Sequence, residues 1–251
     1  MSGHSKWSTI KRKKGAIDAK RGKIFSKLAK EVIVAAKAGG GDPEGNPRLR
    51  TVISSCRAAN MPMDKVEKAI KKGIGDDGGV AYDEVRYEGY GAGGVAIIVD
   101  TLTDNRNRTV ADIRFALNKC GGSMAESGAV TWNFESKGFV VVPKDAYTED
   151  EIFEKAIEAG ADDVNTESDV YEITTEPTEL HNVVAALEEA GVKFEEAKLT
   201  MLPKTTTEVD AKVARQILKL IDMLEDSDDV QQVYSNFDVS EEDMAVILAE
   251  S

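Results

Sequence analysis

EVDAKVARQILKLIDMLEDSDDVQQVYSNF, residues 208–237, decides how this chain is assembled. Glu208 to Met223 reads as one long helix. Asp229 to Phe237 alternates as a strand through Val230, Val233 and Tyr234. A helix and a strand this late in a chain need a sheet to join. The residues just before them offer no place. They run strand (Gly138 to Val142), helix (Thr148 to Ala159), strands near Asp163 to Thr166 and Val170 to Thr174, helix (Thr178 to Ala190), strand (Glu195 to Leu202). That is β-α-β-β-α-β, a complete ferredoxin-like order. Further upstream the order is strand (Glu84 to Tyr90), strand (Gly94 to Asp100), helix (Arg108 to Lys119), strand (Ala129 to Phe134), and here partners are missing. The prediction is a domain at 136–203 inserted into a discontinuous one made of 80–135 and 204–251, with Ser240 to Ala249 as a further turn or two of helix.

Before these lies a different kind of sequence. From Asp18 the apolar residues Ile24, Phe25, Leu28, Val32, Ala35 and Ala36 recur at helical spacing until Gly39-Gly40-Gly41. Asn46-Pro47 reads as an N-cap with proline at the first helical position, and Leu49, Val52, Ile53 and Cys56 give that second helix its apolar face. Asn60-Met61-Pro62 opens a third through Val66 and Ile70 to Gly73. Residues 1–75 thus predict a three-helix bundle behind an N-terminal arm, with GIGDDGG (73–79) as the linker that follows. The polar faces of the helices carry Lys20, Lys23, Lys27, Arg48, Arg50, Arg57, Lys65, Lys68 and Lys72, all expected to point outward.

Charge divides at the same boundary. The 251 residues hold 45 Asp and Glu against 32 Lys and Arg. Residues 1–75 nevertheless hold 18 Lys and Arg against 6 acids, a net of +12, and the remainder 14 against 39, a net of −25. Hydrophobic content of 41% and charged content of 31% describe a folded soluble chain. The longest apolar runs, such as Val95 to Val99, are strand-sized and too short to cross a bilayer. Cys56 and Cys120 stand far apart with no CxxC, as expected of two unpaired thiols in a reducing compartment.

The basic arm, MSGHSKWSTIKRKKG, carries the best candidates for a binding surface. Lys6, Lys11, Arg12, Lys13, Lys14, Lys20, Arg21 and Lys23 are placed to meet phosphates, gaining affinity by counterion release without reading sequence. His4 would add a hydrogen bond. Trp7 would stack on an unpaired base, as suits RNA or single strands, or would instead pin the arm to the bundle. Lys27, Arg48 and Arg50 extend the basic face. In the acidic body, Thr103-Asp104-Asn105-Arg106-Asn107-Arg108-Thr109 reads either as turn and N-cap chemistry or as a second phosphate contact through Arg106 and Arg108. Helix-turn-helix spacing is not evident.

Catalytic and cofactor motifs are weak. GYGAGG (89–94) matches GxGxxG, but a strand follows it where a dinucleotide fold needs a helix, so its glycines turn one strand into the next. His4 and His181 are the only imidazoles and neither has a second metal ligand at suitable spacing. The expectation is no enzyme, no cofactor, no metal, no membrane span and nucleic acid as the partner, with a monomer favoured.

Ordered motifs then carry a resemblance. GHSKW (3–7), DAKRGKIFSK (18–27), GGGDPEGNPRLR (39–50), NMP (60–62), YEGYGAGG (87–94), LTDNRNRT (102–109), KCGGSMAESGAV (119–130) and LIDMLEDSDDVQQVYSNFD (220–238) together resemble the YebC/PmpR family. Ala92 stands where that family commonly has proline, and Met63 where it has a basic residue. The resemblance implies an α+β fold: an N-terminal three-helix bundle followed by two ferredoxin-like α/β domains, one inserted in the other. It also implies a cytoplasmic, non-enzymatic regulator of gene expression, either a DNA-binding transcriptional regulator or a ribosome-associated translation factor. The acidic ferredoxin-like domains leave a reading of a different class, a small-molecule-sensing scaffold protein. With GHSKW starting at residue 3, a bacterial cytoplasmic protein is the expectation.

Overall fold

The structure, a computed structural model, describes residues 18–75 and 81–249. Three helices come first: α1 (Asp18–Gly39), α2 (Pro47–Ala58) and α3 (Met63–Ile74). Their core is Val32, Ala35, Leu49, Cys56 and Val66, each fully buried. Asn46 sets the angle between α1 and α2. Its carbonyl oxygen accepts from Leu49 N, capping α2, while its amide donates to Ala35 O and Gly40 O at the end of α1. One buried side chain thereby satisfies backbone groups at two helix ends.

Gly73 lets α3 lie close on α1. A Cβ there would come within 2.6 Å of Ile33 O and 2.8 Å of Ala36 Cβ. Alanine improves helix propensity by about 1 kcal/mol over glycine. Forcing apart packed backbone costs about 1–3 kcal/mol, and a carbonyl cannot swing aside as a side-chain tip can. Gly73→Ala is therefore expected to destabilise the bundle despite its propensity gain; a raised midpoint in urea unfolding would refute this.

The second unit is a four-stranded antiparallel sheet of order β3-β1-β2-β9, built from β1 (Asp83–Tyr90), β2 (Ala96–Thr103), β3 (Ser123–Met124) and β9 (Val230–Ser235). Strand β9 lies along β2, with Tyr234 opposite Ile98 and Val233 opposite Val99. The late helix and strand thus join the sheet begun at residue 83. On one face α4 (Arg106–Lys119) and α7 (Ala211–Glu225) bury Ile97, Val99, Ile113, Leu117, Ile217 and Leu220. On the other, Ala96 and Ile98 meet Val130, Phe134, Met201 and Tyr234, so the inserted unit is seated against the back of this sheet. Between β1 and β2 the glycines turn the chain, with Gly93 and Gly94 at positive φ and Gly91 N donating to Val95 O.

The strand expected over Ala129 to Phe134 is corrected. Residues 131–133 form a 3-10 turn, and the edge strand is the two-residue β3. The backbone amides of Gly128, Val130 and Thr131 instead donate to the Glu88 carboxylate.

Strand β4 (Phe134–Pro143) carries the chain into the inserted unit, a sheet of order β5-β6-β4-β7 with β5 (Asp163–Asn165), β6 (Val170–Thr175) and β7 (Glu196–Pro203). The unit's first and third strands, β4 and β6, lie at the centre and its second and fourth, β5 and β7, at the edges, which is the ferredoxin-like order. α5 (Glu149–Glu158), opened by the Thr148–Glu151 capping box, and α6 (Leu180–Glu189) cover Val140, Val142 and Ile173. A short parallel bridge pairs β8 (Thr207–Glu208) with β10 (Phe237–Asp238), and α8 (Glu241–Ala249) ends the described chain. Among the described residues no helix is long and apolar enough to cross a membrane.

Candidate nucleic-acid interface

Helix α1 has two working faces. Lys23, Lys27 and Lys30 recur at i, i+4 and i+7, so they share one side. Phe25, Ile33 and Ala36 lie about half a turn away; Phe25 sits against Lys65 of α3, and Gly73 against Ile33 and Ala36. α3 therefore lies on the far side of α1 from its lysine stripe.

That stripe is not turned to solvent as the polar-face reading expects. It seats on the C-terminal end of α7 and the acidic run beyond it. Lys23 Nζ donates to Asp226 Oδ1 at 2.8 Å, Lys27 Nζ to Glu225 O at 2.8 Å, and Lys30 Nζ to Asp228 O at 2.8 Å and Asp229 Oδ1 at 2.9 Å. The physical reason is plain. The last carbonyls of a helix carry partial negative charge, and LEDSDD adds full charges there, so lysines at helical spacing find ready acceptors. Arg48 makes the second link between the bundle and the sheet domain, a two-pronged pair with Glu84 at 2.8 and 2.9 Å. Arg50 turns inward to Pro43 O and Glu44 O, holding the loop before α2.

The TDNRNRT loop folds as a junction of its own. Asn105 caps α4 by accepting from Arg108 N. Arg106 pairs with Asp83. Arg108 pairs with Asp104 and with Asp229 Oδ2, the latter at 2.6 Å. The same Asp229 oxygen accepts from Thr109 Oγ1 at 2.9 Å and Thr103 Oγ1 at 3.3 Å. Burial alone would push the Asp229 carboxyl up, but hydrogen bonds from Arg108, Lys30 and Thr109 outweigh it and hold the pKa at about 2. One buried carboxylate thus ties α1, α4 and β9 together. Beside it lies an open cleft of about 570 Å³ in which Asp104, Asp112, Asp226 and Asp228 outnumber Lys30 and Arg108. Such a lining repels phosphate.

Among the sequence-derived candidates, His4, Lys6, Trp7, Lys11, Arg12, Lys13 and Lys14 lie outside the described residues, and Lys20 and Arg21 are placed only as backbone in the first turn of α1. Lys23, Lys27, Arg48, Arg50, Arg106 and Arg108 all meet acceptors within the protein. The structure brings Lys23, Lys27 and Arg108 to one junction and leaves Arg48, Arg50 and Arg106 apart from it. Lys30 and Asp229 complete that junction and were missed; the matching signal is the lysine spacing 23, 27, 30 against the acidic run 225–229. Exposed cations remain on the bundle: Lys37 on α1, Arg57 on α2, and Lys65, Lys68, Lys71 and Lys72 on α3. Cys56 is buried beneath them, where burial and the nearby Glu31 push its thiol up to about 11, a packing residue and not a nucleophile. Among the described residues no group of His, Cys, Asp and Glu is arranged to hold a metal ion.

Known proteins are similar to this chain over most of its length. The TACO1/YebC protein N-terminal domain family matches residues 5–76, and the TACO1/YebC second and third domain family matches residues 82–237. A probable transcriptional regulatory protein of Geobacter sp. (strain M21) is 58% identical over 244 residues, covering 97% of this chain and 98% of its own. Another, from Chlorobaculum tepidum, is 54% identical over 248 residues, covering 98% and 99%. The crystal structure of a conserved hypothetical protein from Aquifex aeolicus superposes with a TM-score of 0.82 at 48% identity, over 89% of this chain and 93% of that one.

Proposed function

The chain belongs to the TACO1/YebC family, and on that footing we propose that it is a non-enzymatic, nucleic-acid-binding regulator of gene expression. Its relatives' names as probable transcriptional regulatory proteins support a regulator. The support from geometry is the division of labour among cations. Those of α1 that face the acidic domain are engaged there, whereas Lys65, Lys68, Lys71 and Lys72 of α3 stand exposed on the far side, in a domain of net +12. The acidic body repels a polyanion, so nucleic acid meets the arm and α3 first.

Contact with the backbone fits these groups better than base reading. Asp64 sits in the first turn of α3, where a recognition helix would enter a groove, and Glu67 interrupts the lysines. If the arm and α3 together neutralise about six phosphates, log K falls against log salt with a slope near −5. Changing Lys11, Arg12, Lys13 and Lys14 to alanine should flatten that slope by about 3. A wild-type slope near zero would overturn the proposal. To separate targets, labelled protein is given ribosomes and a large excess of mixed-sequence duplex DNA, then sedimented. Retention on ribosomes assigns it to translation; loss to DNA assigns it to transcription.

A further inference from the structure

We propose that nucleic acid opens the contact between the helical bundle and the acidic body and takes the row Lys23, Lys27 and Lys30 of α1 as a second phosphate-binding face; this rests on the nucleic-acid reading above. The contact is made by charge and hydrogen bonds. Its ties are Lys23 to Asp226, Lys27 to Glu225 O, Lys30 to Asp228 O and Asp229, and Arg48 to Glu84. Among the described residues, and apart from Tyr82, none of the buried apolar clusters combines side chains of the bundle with side chains of the body. Tyr82, the residue before β1, packs on the bundle core, which puts the pivot at its junction with β1.

The other domain contact is built the opposite way. Where the inserted unit meets the first sheet, Ala96, Ile98, Val130 and Phe134 are buried together, with Met201 and Tyr234 packed against them. Apolar burial is not weakened by a competing charge, whereas surface ion pairs are. A domain contact without a large apolar core is the one free to move. Opening the bundle also strands no buried charge on the body. Asp229 loses Lys30 but keeps Arg108 Nη2 at 2.6 Å, Thr109 Oγ1 at 2.9 Å and Thr103 Oγ1 at 3.3 Å, all within the body. Lys23 and Asp226 are exposed even when paired, so water replaces each partner at little cost.

What suits the freed row is a line of phosphates. Residues 23, 27 and 30 lie on one side of α1 over about 10 Å, the axial length of about three phosphates in one DNA strand. At residue 20, three before Lys23, the row runs on towards the basic arm with its Lys11 to Lys14. A strand held by the arm therefore reaches the row by following the chain. There it meets Asp226 and Asp228, the acids that hold the lysines, within a body of net −25. Phosphates draw the lysines away and repel those acids, so both effects separate the bundle from the body. Nucleic acid then binds more weakly than an open bundle would bind it, by the fraction of molecules that are open.

In the full-length protein, Ser26→Cys on α1 and Gln216→Cys on α7 take a donor and an acceptor dye; both sites are exposed, while the native Cys56 and Cys120 are buried. Polyuridylate and mixed-sequence duplex DNA are titrated separately. Energy transfer reports the contact, and the anisotropy of end-labelled nucleic acid, in a parallel experiment, reports binding. Transfer should fall along the binding curve. Glu84→Gln with Asp226→Asn removes two acids of the body at the contact and leaves every bundle cation in place. It should tighten binding roughly 2- to 30-fold, the range for two exposed ion pairs. Glu154→Gln with Glu158→Gln, two exposed acids of α5, changes the net charge equally and should leave affinity nearly unchanged. Binding with constant transfer, or equal tightening by both double variants, overturns the opening and leaves the nucleic-acid reading standing. No binding of either nucleic acid overturns both.

Discussion

Asp229→Asn should lower the unfolding free energy by about 3–5 kcal/mol, the range for breaking a buried ion pair from one side. Asp229 is 4% exposed and lies at the entry to β9, and its backbone carbonyl also accepts from Leu102 N. Asparagine keeps the size but offers one neutral oxygen to Arg108, Thr109, Thr103 and Lys30. Lys30, itself mostly buried, would be left with the Asp228 carbonyl and the Tyr82 ring but no opposite charge. Exposed pairs such as Arg106–Asp83 contribute little to stability, so Arg106→Ala is the matched control. Acid should report the same group. A carboxylate depressed to about 2 when folded contributes its stabilisation in full above the unfolded value near 4. That contribution is lost as pH falls from about 4 towards 2, and the loss is absent in Asp229→Asn. Urea midpoints at neutral pH, then at pH 3, test both statements. A variant within 1 kcal/mol of wild type at neutral pH would show that the junction is ornamental to stability.

The junction also shows where reading the sequence stopped. Helix α1 was legible because its apolar residues repeat at 3.6, and Asn46 because a capping residue before proline has one common use. The pairing of β9 with β2 follows from the same logic, since a ferredoxin-like order is a closed set that leaves α7 and β9 without a home. What the chain did not disclose is which polar face of α1 meets another domain. Lys23 and Lys27 have the same spacing whether they face water or carbonyls; the deciding partner, LEDSDD, lies about two hundred residues away. The error at Ala129 to Phe134 has a related cause. An alternating AVTWNF pattern reads as a strand, and nothing local says that a distant carboxylate collects its backbone amides. Within such a pattern nothing in the sequence marks Trp132 as an exposed aromatic.

Glu88→Ala tests that carboxylate directly. Burial pushes the Glu88 carboxyl up, but the amides of Gly128, Val130 and Thr131 outweigh burial and leave its pKa below the usual carboxylate value. Alanine removes the acceptor from all three, and the Val130 amide is buried. A buried donor left without a partner costs about 1–3 kcal/mol, and water entering at the two part-buried amides offsets some of theirs, so a loss of about 2–4 kcal/mol is expected. Glu88→Gln keeps one accepting oxygen but turns an NH₂ towards a backbone donor, and should fall between. Hydrogen exchange separates a local effect from a global one: protection at Gly128, Val130 and Thr131 should collapse while the amides of β2 keep theirs. Because Ala129 O accepts from Trp132 Nε1 and Tyr90 Oη, the same variant in a Trp7→Phe background, where Trp132 is the sole tryptophan, should loosen Trp132, lowering its emission anisotropy. Unchanged exchange at those amides would mean that other contacts hold the loop. Trp132 would then owe its exposure to something besides the Glu88 clamp.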